Sequence, residues 1–313
     1  MKEMEKVLEQ QYEYCTNIRD QKDLRDGFNE LTRKTFCFDF TTWYQMGQWN
    51  KYKYIPHVLI CNDKVVSNVS ANVMQFYVNG QIKKYIQLGT VMTDPEYRGQ
   101  GFNRYLMEAV LEEYAGKVDG IYLFGNDSVL DYYPKFGFRA VQEHSFGITN
   151  DSEKWQQTEP YALKKADMQN KDTFAGWYDT IVRSDRAGGD KNPEDAFYMF
   201  DNVGLYEFWL SHGYGDKVYY IPETDSYVIA DVKDAKLTVY QTFGNCEIDI
   251  FRVKDYFAQS TSVSEIELGY TPARRDSYTV NEHREADCTL FLIGDDLAEF
   301  GTKACMFPVL SHA

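Results

Sequence analysis

Between residues 23 and 47 the apolar positions Leu24, Phe28, Leu31, Phe36, Phe38 and Phe40 fall among polar residues at loose helical spacing, which predicts one or two helices. From Pro56 the pattern changes to strands, at 57–61, 64–78 and 81–93, with Asn62-Asp63 and Asn79-Gly80 between them. Asn-Gly suits the positive φ that both central positions of a type I′ turn need, so the last two strands read as an antiparallel hairpin. Tyr105, Leu106, Ala109, Val110 and Leu111 then describe an amphipathic helix ending near Gly116, and a strand follows at 120–124. A second helix over about 128–135, C-capped by Gly137, and a strand over 138–148 close the first half. A parallel pair joined by a crossover helix beside an antiparallel hairpin makes a mixed α/β sheet.

Residues 149–172 are polar and mark the expected linker. Beyond them the pattern predicts helices at 173–183 and 193–212, strands at 217–221, 226–232 and 236–243, a helix at 246–259 and a strand at 263–269. This is the element order of the first half, so the chain reads as two α/β domains of related fold, 1–150 and 160–313. A length of 313 residues accommodates both.

The formal net charge of −15 makes nucleic acid an unexpected partner. The excess is uneven, because residues 1–150 carry 17 basic and 19 acidic side chains and the remainder carries 16 and 29. An acidic second half is either a solvated surface or a wall that draws in a cationic ligand. No uncharged apolar run reaches the ~20 residues of a membrane span and the start lacks a signal-peptide core, so a cytoplasmic chain is expected. The six cysteines form no CxxC pair and read as buried free thiols; with no metal spacing among His57, His144, His212 and His283 either, no metal is expected.

The chemistry concentrates in Val91-Met92-Thr93-Asp94-Pro95-Glu96-Tyr97-Arg98-Gly99-Gln100-Gly101-Phe102-Asn103-Arg104, a strand-to-helix junction. Its glycines allow close approach of the backbone to a ligand, and free N–H groups at a helix start favour phosphate. A dinucleotide fingerprint is poorly met, since its third glycine is Arg104 and the preceding strand belongs to a hairpin. Downstream lies Asn126-Asp127-Ser128-Val129-Leu130-Asp131-Tyr132-Tyr133-Pro134-Lys135-Phe136-Gly137-Phe138. Together, in this order, the two segments resemble the motifs of the Gcn5-related N-acetyltransferase (GNAT) superfamily, over about residues 1–150. Asn126, Tyr133, Lys135, Gly137 and Phe138 match the second motif, while Asn103 stands where the first usually has Gly or Ala and Thr93 where it usually has Val.

The resemblance implies a GNAT fold followed by a degenerate GNAT-like α/β domain, with acetyl-CoA as co-substrate. The backbone of Val91, Met92 and Thr93 would meet the pantetheine arm, and the stretch Arg98, Gly99, Gln100, Gly101, Phe102, Asn103 and Arg104 would hold the pyrophosphate. Asn126 would sit near the thioester and Tyr133 would protonate the departing thiolate. The second half has no glycine turn, since Gln241-Thr242-Phe243-Gly244-Asn245 leads directly into its helix. Many relatives carry a strand Glu as base, whereas Tyr85-Ile86-Gln87-Leu88-Gly89-Thr90 has none. A GNAT domain followed by a degenerate one also resembles the Eis-type acetyltransferases, some of which use a C-terminal carboxylate as base. That leaves the carboxylate of Ala313, another carboxylate or water. The expected function is N-acetylation of a small cationic amine, the alternative a non-catalytic acyl-CoA sensor; the oligomeric state stays open.

Overall fold

The computed structural model describes residues 12–78, 80–186, 197–294, 300 and 303–312. After β1 (Glu13–Thr16), α1 (Lys22–Phe36) buries Phe28 and Leu31, and α2 (Thr41–Gln45) buries Trp43. β2 (Tyr54–Cys61), β3 (Lys64–Val78) and β4 (Gln81–Thr93) form the antiparallel meander, the last two with the expected limits. Gly80 has φ 80°, as the turn requires, and Asn79 lies outside the described residues. α3 (Phe102–Tyr114) crosses over to β5 (Gly120–Gly125), which runs parallel to β4. Leu106 and Val110 of α3 bury one face of the sheet against Ile86, Leu88, Ile121 and Leu123, each such side chain contributing about 1.5 to 3 kcal/mol.

The helix expected over 128–135 is instead two 3-10 turns, Asp127–Val129 and Tyr133–Phe136. Pro134 has no amide hydrogen to continue an α-helix from the first turn. Gly137 closes the second turn at φ 90°, as expected. The single strand expected over 138–148 is divided into β6 (Arg139–Val141) and β7 (Glu143–Thr149), which join different sheets.

β8 (Lys164–Lys165) and α4 (Lys171–Arg186) follow. Of the helix expected over 193–212, residues 193–196 lie outside the described residues and Phe197–Phe200 is a strand, β9. Phe197 and Met199 alternate into the core there, a period-two pattern that pairs with β3 at Gln75 to Val78. Helix begins only at α5 (Val203–Trp209). β10 (Val218–Ile221), β11 (Ser226–Lys233), β12 (Lys236–Phe243), α6 (Ile250–Ala258) and β13 (Glu265–Leu268) repeat the hairpin, strand, helix, strand order, with β12 and β13 parallel. β14 (Thr279–His283) and β15 (Thr289–Ile293) complete the sheets.

Two mixed sheets result, ordered β1-β2-β3-β4-β5-β15-β6, with β9 on β3, and β14-β7-β13-β12-β11-β10-β8. Sheet membership crosses residue 150 in both directions, since β7 lies in the second sheet and β9 and β15 in the first. The face of the first sheet opposite α3 shares a core with the second half, where Met74, Phe76, Tyr85 and Tyr122 meet Tyr206, Leu210 and Phe307. The polar stretch after β7 is docked, not loose. Thr158 donates from its amide (2.6 Å) and hydroxyl (2.8 Å) to Asp255 of α6, and buried Lys254 donates to the Gln156 carbonyl at 2.7 Å. The thiols are less buried than expected: only Cys305 is buried, while Cys37 and Cys246 are exposed.

Candidate active site

β4 and β5 pair only from Tyr85–Gly120 to Leu88–Leu123. Beyond that point β4 runs on to Thr93 and β5 to Gly125, whose other edge is taken by β15. The divergence coincides with a bulge: Ser70 opposes Gly89 and Asn68 opposes Met92, so Thr90 and Val91 together face one residue of β3. Thr90 adopts φ 44°, strained for a β-branched residue by roughly 1 to 3 kcal/mol. Hydrogen bonds hold it there. Its hydroxyl donates to Ser70 Oγ (3.0 Å) and accepts from Tyr54, and Asn68 Nδ2 donates to its carbonyl (2.8 Å).

At the end of β4, buried Asp94 accepts from Glu96 N and pairs with Lys34 (2.9 Å) and Lys64 (2.8 Å). Burial pushes this carboxyl up, but the two lysines outweigh it and hold it down to about 2. Gly99 and Gly101 follow with φ 78° and 85°. A Cβ on Gly99 would meet nothing within 4 Å, so the requirement there is conformational and the loop face is open. Gly101 precedes α3, whose first turn has no side-chain cap and no acidic residue, leaving its amides available to an anion.

The other expected cofactor residues divide by what they can offer. Val91 and Thr93 are half-buried, and Thr93 shares a hydrogen bond with Ser67 (2.8 Å). Met92 is buried among Phe28, Leu31 and Ile60, so only its backbone can face a ligand; Phe102 is likewise a core residue. Arg98 Nε donates to the Thr93 carbonyl (3.3 Å), Gln100 accepts from Tyr12 (3.3 Å), and exposed Arg104 pairs with Glu108 (2.8 Å). Asn103 accepts from the Tyr132 hydroxyl at 2.6 Å, tying the helix start to the second motif.

In that motif Asn126 Oδ1 caps Ser128, accepting from its amide (3.1 Å) and hydroxyl (2.6 Å), which leaves the amide nitrogen for a ligand. Tyr133 packs against the end of β5, where a Cβ on Gly125 would lie 2.9 Å from its ring. Burial pushes its phenol up to about 12, so it keeps its proton at neutral pH.

The second half was expected to contribute to the acceptor site, but sequence reasoning did not name the side chains it brings to this opening. Asp287, between β14 and β15, accepts from Asp127 N at 2.8 Å. His312 stacks on Phe124 with ring centroids 3.7 Å apart, and Phe307 stacks on Tyr122 at 4.0 Å. The apolar run at 307–310 was the available signal for a tethered terminus; Ala313 lies outside the described residues. Two buried acids also went unnoticed: burial pushes Glu143 up to about 8 and Glu207 up to about 7. Among the described residues no group of three or more His, Cys, Asp or Glu could hold a metal ion, and no helix is long and apolar enough to cross a membrane.

An opened parallel pair, a glycine turn into an uncapped helix and a buried phenol at the strand end are thus brought together by the first sheet. Residues 18–141 match the family model of the acetyltransferase (GNAT) domain. Solved structures share the fold over most of the chain. A conserved protein of unknown function from Enterococcus faecalis is 14% identical, with 92% of this chain and 74% of that one covered and a TM-score of 0.59. For a GCN5-related N-acetyltransferase from Kribbella flavida the values are 14%, 90%, 71% and 0.55. For Eis1 from Mycobacterium abscessus they are 13%, 89%, 72% and 0.56. At such identities the likeness is one of fold, two GNAT-like α/β units. No curated protein matches the sequence.

Proposed function

We propose that the protein is a cytoplasmic, acetyl-CoA-dependent N-acetyltransferase acting on a small cationic amine. The observation that carries this reading is the opening between β4 and β5 leading to the uncapped start of α3. The residues suit the ligand: backbone beyond Leu88 for a pantetheine arm, the amides of 99–104 for a pyrophosphate, and the Asn126 amide nitrogen nearby. When bound, acetyl-CoA supplies an activated acetyl thioester, so the chain needs no nucleophile of its own and contributes mainly by orientation. Tyr133, protonated at neutral pH, gives its proton to the departing sulfur.

The acidic second half supports a cationic acceptor, because its 29 acids against 16 bases attract cations at long range. Thiol release from acetyl-CoA with a panel of polyamines and aminoglycosides tests the reading, and KM for the best amine should rise with salt while KM for acetyl-CoA changes less. Binding of acetyl-CoA without thiol release for any amine would favour the alternative, an acyl-CoA sensor, which the neutral Gln87 on β4 otherwise supports.

A further inference from the structure

We propose that His312 is the base of this transfer, its Nε2 receiving the proton that the acceptor amine loses as it attacks the acetyl carbon. The inference rests on the acetyltransferase reading above.

Phe124 is the first residue of β5 beyond the last pair with β4, so a ring stacked on it stands where the strands part. The His312 imidazole occupies that place, 3.7 Å between centroids. Its backbone is fixed, since Trp209 Nε1 donates to the His312 carbonyl at 2.9 Å and Val309 N donates to the Gly269 carbonyl at 2.8 Å. The Phe307 backbone near the ring favours its protonated form, while Nε2 is buried and has no partner. A buried polar atom left so carries a desolvation cost that a ligand's N–H removes. With the ring hydrogen on Nδ1, Nε2 is a bare lone pair, the tautomer a base requires.

The faces agree with this assignment. Phe124 and Gly125 are consecutive and point to opposite sides of the sheet. His312 lies on the side of Phe124, shared with the second half, and Tyr133 on the side of Gly125. Base and acid thus flank the opening from its two faces. The amine nitrogen forms a bond to the acetyl carbon, the C–S bond breaks, one N–H proton goes to Nε2, and the sulfur takes a proton from Tyr133. Burial holds the free imidazole down to about 3, so Nε2 is unprotonated beforehand. The ammonium formed on attack is far more acidic than the ammonium of the free amine, so a weakly basic imidazole suffices to take its proton. Glu143, another buried group on this side, already accepts from Phe307 N at 2.8 Å.

His312→Ala should lower kcat with acetyl-CoA and spermidine, or the best amine of the panel, by roughly 10²- to 10⁴-fold. Its acetyl-CoA affinity by calorimetry and its Tm should stay near wild type, and added imidazole should restore part of the rate, which a purely structural role would not allow. If alanine lowers Tm, His312→Gln, which refills the stack, carries the same measurement. Turnover within a few-fold of wild type, or a loss in a folded, acetyl-CoA-binding variant that imidazole does not restore, would overturn the proposal. A wild-type enzyme that releases no thiol with any amine would instead remove the acetyltransferase reading, and this inference with it.

Discussion

At β4 and β5 pairing stops at Leu88–Leu123; at β12 and β13, the equivalent parallel pair, it stops at Val239–Leu268. In the second case the chain fills the space beyond. Val309 N donates to the Gly269 carbonyl at 2.8 Å, Thr271 Oγ1 and the Met306 backbone exchange bonds of 2.9 and 2.8 Å, and a Cβ on Gly269 would lie 2.8 Å from Val309 Cγ2. The helices differ in the same sense. α3 starts at Gly101 without a side-chain cap, whereas α6 is capped by Asp249, which accepts from Phe251 N at 2.9 Å. A carboxylate there repels the anion that α3 can attract. The second unit has therefore lost more than a glycine turn: its slot is occupied by its own chain, and its helix start by its own charge.

If chemistry belongs to the open pair alone, Tyr133→Phe should lower kcat by roughly 10²- to 10⁴-fold and leave acetyl-CoA affinity nearly unchanged; unchanged turnover in a chemistry-limited assay would reject the acid role. Gly101→Val disfavours the φ of 85° and should weaken acetyl-CoA about 10- to 100-fold, because the free loop relaxes and binding must restore a backbone strained by ~1 to 3 kcal/mol. Its Tm should change little, and wild-type calorimetry should give one site per chain; two equivalent sites would contradict the comparison. The matched change in the filled pair, Gly269→Val, should do the reverse. Overpacking against Val309 and Tyr240 should cost ~1 to 3 kcal/mol of stability with affinity unaltered.

A pH-dependent effect concerns what anchors the filling segment. Glu143 Oε1 accepts from Phe307 N, and burial raises this carboxyl from 4.5 to about 8. A raised acid favours the neutral form in the fold, so its contribution is full below pH 4.5 and is lost as pH climbs through 8. Glu143→Gln keeps an acceptor for Phe307 but cannot ionise. Urea unfolding should show it gaining on wild type as pH rises from 5 to 8, by up to roughly 4 kcal/mol at ~1.4 kcal/mol per unit. A constant difference across that range would reject the ionisation account.

The first sheet was legible where its determinants are local. Asn79-Gly80 between two alternating runs fixed the β3–β4 hairpin, and the glycines around Gln100 marked the start of α3. The departures are non-local. Nothing in 138–148 announces that Gln142 separates strands of two sheets, because that depends on β15 arriving beside β5 and on β13 and β14 receiving β7. Four-residue β9 carries too few positions to distinguish a strand from a helix turn. The same limit applies at the site. The motif pointed to Tyr133, whereas His312 depends on a fold that returns the last described residues to Phe124, 188 positions earlier in the chain.

The placement of β15 also governs how the chain is made. β5 ends at Gly125, but the strand that covers its outer edge ends at Ile293. At about 5 to 20 residues per second, a ribosome leaves that edge open for roughly 10 to 30 s after β5 has emerged. During that interval the nascent sheet presents unpaired N–H and C=O groups to any neighbouring chain. The sheet that holds the glycine turn is thus closed only when β15 arrives, and a chaperone bound during synthesis would have its target in the edge of β5.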